Sequence, residues 1–314
     1  VNSTSKLPRV VALLAAGLVA ALLAGCATGQ ADTGATVSIV PAAAQTVQTL
    51  LSVDGLDRTV TIRDIEDAAN ALVPALILMH GAGGSSEKME GGTGMTGIAE
   101  DNGFVVAYPD GTSTEMPVGG QSWNAGSCCA APVAKDIDDA AFISAVIDEL
   151  VANHGVDPER VYIGGFSNGG MMSYRSACEF GDRIAGIVVV GGALNVTGCD
   201  APSELPVLII HGTADATVPY GGGVPNANTA ARLGSWVNAS VADAVSYWSG
   251  RNDCTSHSTV TDDGTITDEK YAGCLDGSGL EVVSILGGTH RWPTTKSEDF
   301  NASKYIAEFF GLAA

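Results

Sequence analysis

Four apolar runs in this chain end in the same way. "ALVPALILM" runs into "HGAGG", "RVYI" into "GGFSNGG", "PVLII" into "HGTAD" and "LEVVSI" into "LGGTH". Each is rich in Val, Ile and Leu and lacks polar alternation, as strands buried on both faces do. Amphipathic segments separate them. In "DIDDAAFISAVIDELVANHG", Phe142, Ile143, Val146, Ile147, Leu150 and Val151 recur at helical spacing, after an acidic start and before Gly155. This alternation specifies the α/β class, with a mostly parallel, doubly wound sheet covered by helices. In such open sheets ligands bind outside the carboxyl ends of the strands. The four polar endings are therefore candidates for one shared site.

The remaining segments fit this layout. "TVQTLLSVDGLDRTVTIRDI" reads as a hairpin turning at "DGLD", and "GFVVAYPDG" and "IAGIVVVGG" as further strands. "NGGMMSYRSACEF", "SVADAVSYWSGRN" and "SEDFNASKYIAEFFG" read as helices. Only a short link, Ala193 to Pro206, joins "IVVVGG" to "VLIIHG", so no large cap domain is expected and the cleft should be open. A longer insertion, "YGGGVPNANTAARLGSW", follows "HGTADATVP" and is expected to form one wall.

The amino-terminal segment reads as a processing signal. Lys6 and Arg9 precede "VVALLAAGLVAALLAG", and the run meets Cys26 in "LAGC". This resembles the lipobox of bacterial lipoproteins. The resemblance implies a signal peptide over residues 1–25, cleavage before Cys26 and a diacylglyceryl group on its sulfur. A small, polar tether over 26–45 and a catalytic domain over 46–314 complete the expected organisation. The protein is then exported and held at the cell surface, touching the membrane only through the Cys26 lipid. The cysteines agree with an oxidising compartment. Of seven, six remain beside Cys26, an even number. Proximity suggests Cys178–Cys199 and Cys254–Cys274, which leaves Cys128 with Cys129. A zinc site is disfavoured, because no C-x-x-C pair has a matching Cys/His pair. Fifteen Lys and Arg stand against 35 Asp and Glu, a net charge of −20. Such a surface repels phosphate backbones, so no nucleic-acid partner is expected. No cofactor is called for, and the chain is expected to be monomeric.

"GFSNG" (165–169) matches G-x-S-x-G. Alone the pattern is weak. Between a strand and a helix it specifies a sharp turn that lifts a serine hydroxyl clear of the sheet, beside a helix N-terminus. A serine needs a base. Of the five histidines, His154 and His257 suit surface roles, whereas His80 and His211 precede glycine at strand ends and suit hydrogen bonds to nearby loops. His290 follows the last strand, and the chain order Ser, Asp, His selects it. The acid between them is Asp215 in "LIIHGTADATVP"; its rivals Asp200 and Asp243 do not end strands, and Asp110 precedes the serine. The oxyanion donors are expected to be the backbone N–H groups of Asn168 and of Ala82 in "HGAGG".

Together, "HGAGG", "YPDG", "SWNAGSCC", "RVYIGGFSNGGMM", "HGTADATVPY" and "GGTHRWP" resemble the polyhydroxybutyrate depolymerase/feruloyl esterase family of α/β-hydrolases, over roughly residues 45–312. The resemblance implies the α/β-hydrolase fold and the same Ser167, Asp215 and His290. It also implies that Trp123 and Trp292 flank the acyl or alcohol subsite; core or rim packing is the rival role for both. The chain departs from the family at Thr289 and Thr294, where glycines are usual. The expected activity is serine carboxylic ester hydrolysis through an acyl-enzyme, on hydroxyalkanoate oligomers or feruloyl and acetyl esters. A serine peptidase or envelope acyltransferase using the same triad, and a non-catalytic envelope-binding lipoprotein, are the alternatives.

Overall fold

The computed structural model describes residues 45–65, 72–115, 119–202, 204–262, 264–297 and 300–313. The signal peptide, most of the tether and Cys26 lie outside the described residues. In chain order the strands are β1 (Gln45–Val53), β2 (Leu56–Asp64), β3 (Val73–Met79), β4 (Val105–Pro109), the short β5 (Thr112–Ser113) and β6 (Gln121–Ser122), β7 (Val156–Phe166), β8 (Gly186–Val190), β9 (Val207–Gly212), β10 (Ser256–Asp262), β11 (Ile266–Ala272) and β12 (Leu280–Ile285). The helices are α1 (Ser86–Thr93), α2 (Met95–Asn102), α3 (Ala130–Ala134), α4 (Asp139–Asn153), α5 (Asn168–Phe180), α6 (Ala227–Leu233), α7 (Val241–Arg251) and α8 (Ala302–Phe309).

Ten strands form one sheet in the order β1-β2-β4-β3-β7-β8-β9-β12-β11-β10. The six central strands run parallel, and an antiparallel pair flanks them at each edge. This is the α/β-hydrolase arrangement. The expected hairpin is β1–β2, paired from Gln45↔Asp64 to Val53↔Leu56 around Asp54 and Gly55. The strand period of two divides the core. On β3, Ala75, Ile77 and Met79 face one layer with Phe142 and Val146 of α4 and Met172 of α5. Leu76 and Leu78 face the other, with Met95 and Ala99 of α2 and Ile306 of α8. Burying each such Leu or Ile side chain contributes roughly 1.5–3 kcal/mol, which fixes the register of the sheet.

From β3 the chain moves outward to β4, then returns to place β7 on the other side of β3. Winding direction reverses there, and the carboxyl ends of β3 and β7 flank the crevice that such a reversal leaves. Those ends carry "HGAGG" and "GFSNGG". No helix or strand forms in the described residues between β8 and β9, in keeping with an open cleft lacking a cap. Two elements differ from the sequence reading. His257 lies on β10 and stacks on Tyr271 of β11, in an edge hairpin whose polar alternation resembles a loop. His154 is buried at the end of α4, with Nδ1 2.8 Å from Asp64 Oδ2, because the β1–β2 hairpin folds over it.

Candidate active site

Ser167 sits between β7 and α5 with φ 56° and ψ −119°, a backbone region that non-glycine residues avoid. The turn is so tight that its glycines are obligatory. A Cβ on Gly165 would lie 2.4 Å from the carbonyl carbon of Gly169, and one on Gly169 would lie 2.3 Å from the Met79 carbonyl oxygen. Ser167 N–H donates to the Val190 carbonyl at 2.8 Å, tying the turn to β8. Ser167 is only 9% exposed and lines a cleft.

The structure brings three of the expected residues together. His290 Nε2 lies 2.9 Å from Ser167 Oγ, and His290 Nδ1 lies 2.6 Å from Asp215 Oδ2. Phe166 packs on the His290 ring, with centroids 4.8 Å apart. Asp215 Oδ1 accepts the backbone N–H groups of Thr217 and Val218 at 2.8 and 2.9 Å. His211 Nε2 approaches Asp215 Oδ2 at 3.5 Å and donates to the Val218 carbonyl at 2.9 Å. Burial alone would raise the Asp215 pKa. Hydrogen bonds from His211 and His290 outweigh that and hold the carboxyl well below the usual carboxylate range. Asp215 is therefore an anion at neutral pH, aimed at the imidazole.

The rival acids are engaged elsewhere. Asp243 closes a capping box with Ser240 at the start of α7, and exposed Asp200 pairs with Arg251. Asp110 accepts the Ser86 N–H at 2.7 Å, a turn role. His80 bonds loops, as expected: Nδ1 donates to the Gly81 carbonyl and Nε2 accepts the Gly111 N–H. Burial lowers its pKa to about 4, so it is neutral in this role.

Ala82 lines the cleft with Ser167 and His290, and Asn168 is the first residue of α5, whose early N–H groups have no intrahelical acceptor. The cleft has two adjoining lobes, of which the first contains Ser167. One, about 190 Å³, is lined by His290, Thr217, Thr229, Arg232 and Leu233. The last three belong to α6, inside the insertion expected to form a wall. The other, about 210 Å³, is lined by the "HGAGG" backbone, Lys88 and Met89. Phe166, Gly81 and Ala82 are common to both.

Neither tryptophan lines either of these two lobes, and for Trp123 burial favours the packing role over a subsite. Trp123 is fully buried, and its indole N–H donates to the His80 carbonyl at 2.8 Å. Trp292 is half-buried against the second core layer and donates to Ser303 Oγ at 3.0 Å, anchoring α8. Sequence reasoning also missed Arg232, Thr229 and Leu233; the insertion was recognised, but no pattern singled out its inward residues. The six described cysteines are bonded as Cys178–Cys199 and Cys254–Cys274, the pairs that proximity suggests, and Cys128–Cys129, the pair that these leave.

A serine, an imidazole and a carboxylate in this relay can move a proton from the hydroxyl and attack a carbonyl carbon. Comparison with known proteins agrees with that chemistry. A family model described as phospholipase/carboxylesterase matches residues 60–240. The proposed esterase NocK of Nocardia uniformis subsp. tsuyamanensis is 33% identical over 240 residues, covering 70% of this chain and 65% of that protein. Feruloyl esterase B of Piromyces equi is 31% identical over 227 residues, covering 69% of this chain and 39% of that protein. The match thus leaves a third or more of each relative's length unspanned. In fold, the chain is similar to the acetyl xylan esterase of Aspergillus awamori, with a TM-score of 0.59 at 14% identity over 85% of this chain and 100% of that one. The chain belongs to the phospholipase/carboxylesterase family.

Proposed function

We propose that the protein is a serine carboxylic ester hydrolase working through an acyl-enzyme. The observation that carries this is the unbroken relay from Ser167 through His290 to Asp215. His290 Nε2 takes the Ser167 proton as Oγ attacks the ester carbonyl, and Asp215 holds the imidazole in the required tautomer and balances its charge. The carbonyl oxygen becomes an oxyanion, held by the backbone N–H groups of Ala82 and Asn168. Each such donor is worth about 3–4 kcal/mol in the transition state. His290 returns the proton to the leaving alcohol as the C–O bond breaks. Water, deprotonated by the same nitrogen, then releases the acid and restores Ser167.

The substrates proposed are soluble hydroxyalkanoate oligomers or feruloyl and acetyl esters. The absence of any helix or strand between β8 and β9 among the described residues supports bulky or oligomeric esters, and the relatives include a protein named feruloyl esterase B. The protein is also proposed to be exported and anchored through Cys26. The mass of the mature amino-terminal peptide checks this; an unmodified Cys26 removes the anchor.

Hydrolysis of a short p-nitrophenyl ester tests the mechanism. Ser167→Ala should lower kcat by at least about 10³-fold, and a fluorophosphonate should label Ser167. Equal turnover by both forms overturns the reading.

A further inference from the structure

We infer that Arg232 forms an anion subsite on the leaving-group side of the cleft, so that the preferred alcohol is a hydroxy acid carrying a free carboxylate. This rests on the esterase reading.

The side of the cleft follows from proton transfer. The leaving oxygen must receive its proton from His290 Nε2, so the alcohol occupies the lobe that His290 lines. That lobe is also lined by Arg232, with Thr217, Thr229 and Leu233. The adjoining lobe, lined by "HGAGG", Lys88 and Met89, shares Gly81, Ala82 and Phe166 with the first but contains neither Ser167 nor His290, so the acyl part extends from Ser167 into it.

Among the described residues Arg232 has no ion-pair partner. The chain holds 35 acidic residues against 15 basic ones, so carboxylates are plentiful. Arg58, Arg63, Arg160, Arg175, Arg183 and Arg251 each pair with one. Arg232 has no ion pair among the described residues and lies beside the cleft, in the last turn of α6. A guanidinium offers a planar fork of donors that fits a carboxylate with two parallel hydrogen bonds. Thr217 and Thr229 add polar side chains to the same lobe, and Leu233 gives an apolar wall for a short carbon chain. The net charge of −20 repels anions at long range, so this cation is what admits a carboxylate at close range.

A hydroxy-acid leaving group has two natural sources, the carboxylate end of a hydroxyalkanoate oligomer and an acylated uronate sugar. Both present an ester oxygen a few bonds from a carboxylate.

The test uses full-length protein and pairs of acetate esters differing only in charge. One series is the ω-acetoxyalkanoates with three to six carbons in the acid chain, and the other is their primary carboxamides. The readout is the ratio of kcat/KM for acid over amide within each variant, so general losses of activity cancel. Wild type should favour the acid by roughly tenfold or more at the best chain length. Arg232→Gln should bring the ratio to about one, and Arg232→Lys should keep part of it. A ratio near one in wild type, or an undiminished ratio in Arg232→Gln, overturns the subsite. Phenyl acetate separates this from failure of the esterase reading, because its hydrolysis by wild type and loss on Ser167→Ala depend on the triad alone. Adding 3-hydroxybutyrate dimer and O-acetylated glucuronate as substrates assigns the source.

Discussion

Asn168 and Trp123 hold each other by the backbone and side chain in both directions. The Trp123 N–H donates to Asn168 Oδ1 at 2.7 Å, and Asn168 Nδ2 donates to the Trp123 carbonyl at 3.1 Å and to the Cys128 carbonyl at 3.2 Å. The Trp123 indole N–H meanwhile donates to the His80 carbonyl, two residues before Ala82. One buried tryptophan therefore joins the turn after Ser167 to the loop after β3. Those two segments carry the proposed oxyanion donors, whose spacing sets how well the oxyanion fits.

Trp123→Phe removes the indole hydrogen bond and keeps an aromatic ring in the core. Losing one buried hydrogen bond at this joint should lower kcat roughly tenfold. KM should change little, because the donors act mainly in the transition state. Affinity for a trifluoromethyl ketone, which forms an oxyanion on Ser167, should fall by the same factor as kcat/KM. A variant with reduced stability and unchanged kcat would assign Trp123 to packing alone. Asn168→Asp, which keeps the acceptor and loses the donor, should act in the same direction.

How much of this was legible in the sequence depends on range. The strand ends could be read because each apolar run is continuous and each ends in glycine, so Ser167, Asp215 and His290 fell at the same edge of one sheet. The orientation of a side chain around such an edge depends on distant partners. Trp123 turns inward because of Asn168, 45 residues away, and the His80 carbonyl, 43 residues away. Burial of His154 depends on Asp64, 90 residues away. The β10–β11 hairpin was missed because an edge pair facing solvent needs no apolar run, and "SHSTVTD" has only one large aliphatic residue.

Asp215→Asn tests the electrostatic half of the relay. An amide can still accept the Thr217 and Val218 N–H groups, so the turn survives. It cannot balance an imidazolium, and its NH₂ group favours the wrong tautomer of His290. The expected loss in kcat is roughly 10⁴-fold with KM little changed. Steady-state kinetics on a p-nitrophenyl ester check this; a loss below tenfold would mean that another carboxylate supports His290.

His80 predicts an acid limb in stability. Its ordinary pKa is 6.5, and burial lowers it to about 4 in the folded protein. The folded pKa is the lower one, so the unfolded chain takes up the proton first as pH falls. The stabilisation is fully present above about pH 6.5 and is lost between there and about pH 4, roughly 3 kcal/mol in all. Burial is the cause, because it disfavours the charged imidazole; protonating Nε2 would also remove the acceptor for the Gly111 N–H. Urea unfolding across this range should show a slope of about one proton attributable to this site. His80→Gln should be less stable at pH 7 and should have a correspondingly shallower slope. An equal slope in both forms would place the acid sensitivity elsewhere.

The pair Arg58–Asp139 predicts a stability defect that a second substitution repairs. Asp139 Oδ1 pairs with Arg58 Nη1, and Oδ2 accepts the Asn124 N–H at 2.6 Å. Both side chains are buried, with the Arg58 guanidinium 3.7 Å from the centroid of the Phe142 ring. Burial disfavours each charge, raising the pKa of Asp139 and lowering that of Arg58, and each charge partly offsets the cost for the other. Asp139→Asn leaves the guanidinium buried without a counter-charge, at a cost of about 3–5 kcal/mol. The double variant Arg58→Met/Asp139→Asn removes that orphaned charge while filling a similar volume, so it should be more stable than Asp139→Asn alone. Because Asn124 adjoins Trp123, the single variant should also lower kcat. Denaturant unfolding of all four forms completes the cycle; additivity would show that the two charges do not support each other.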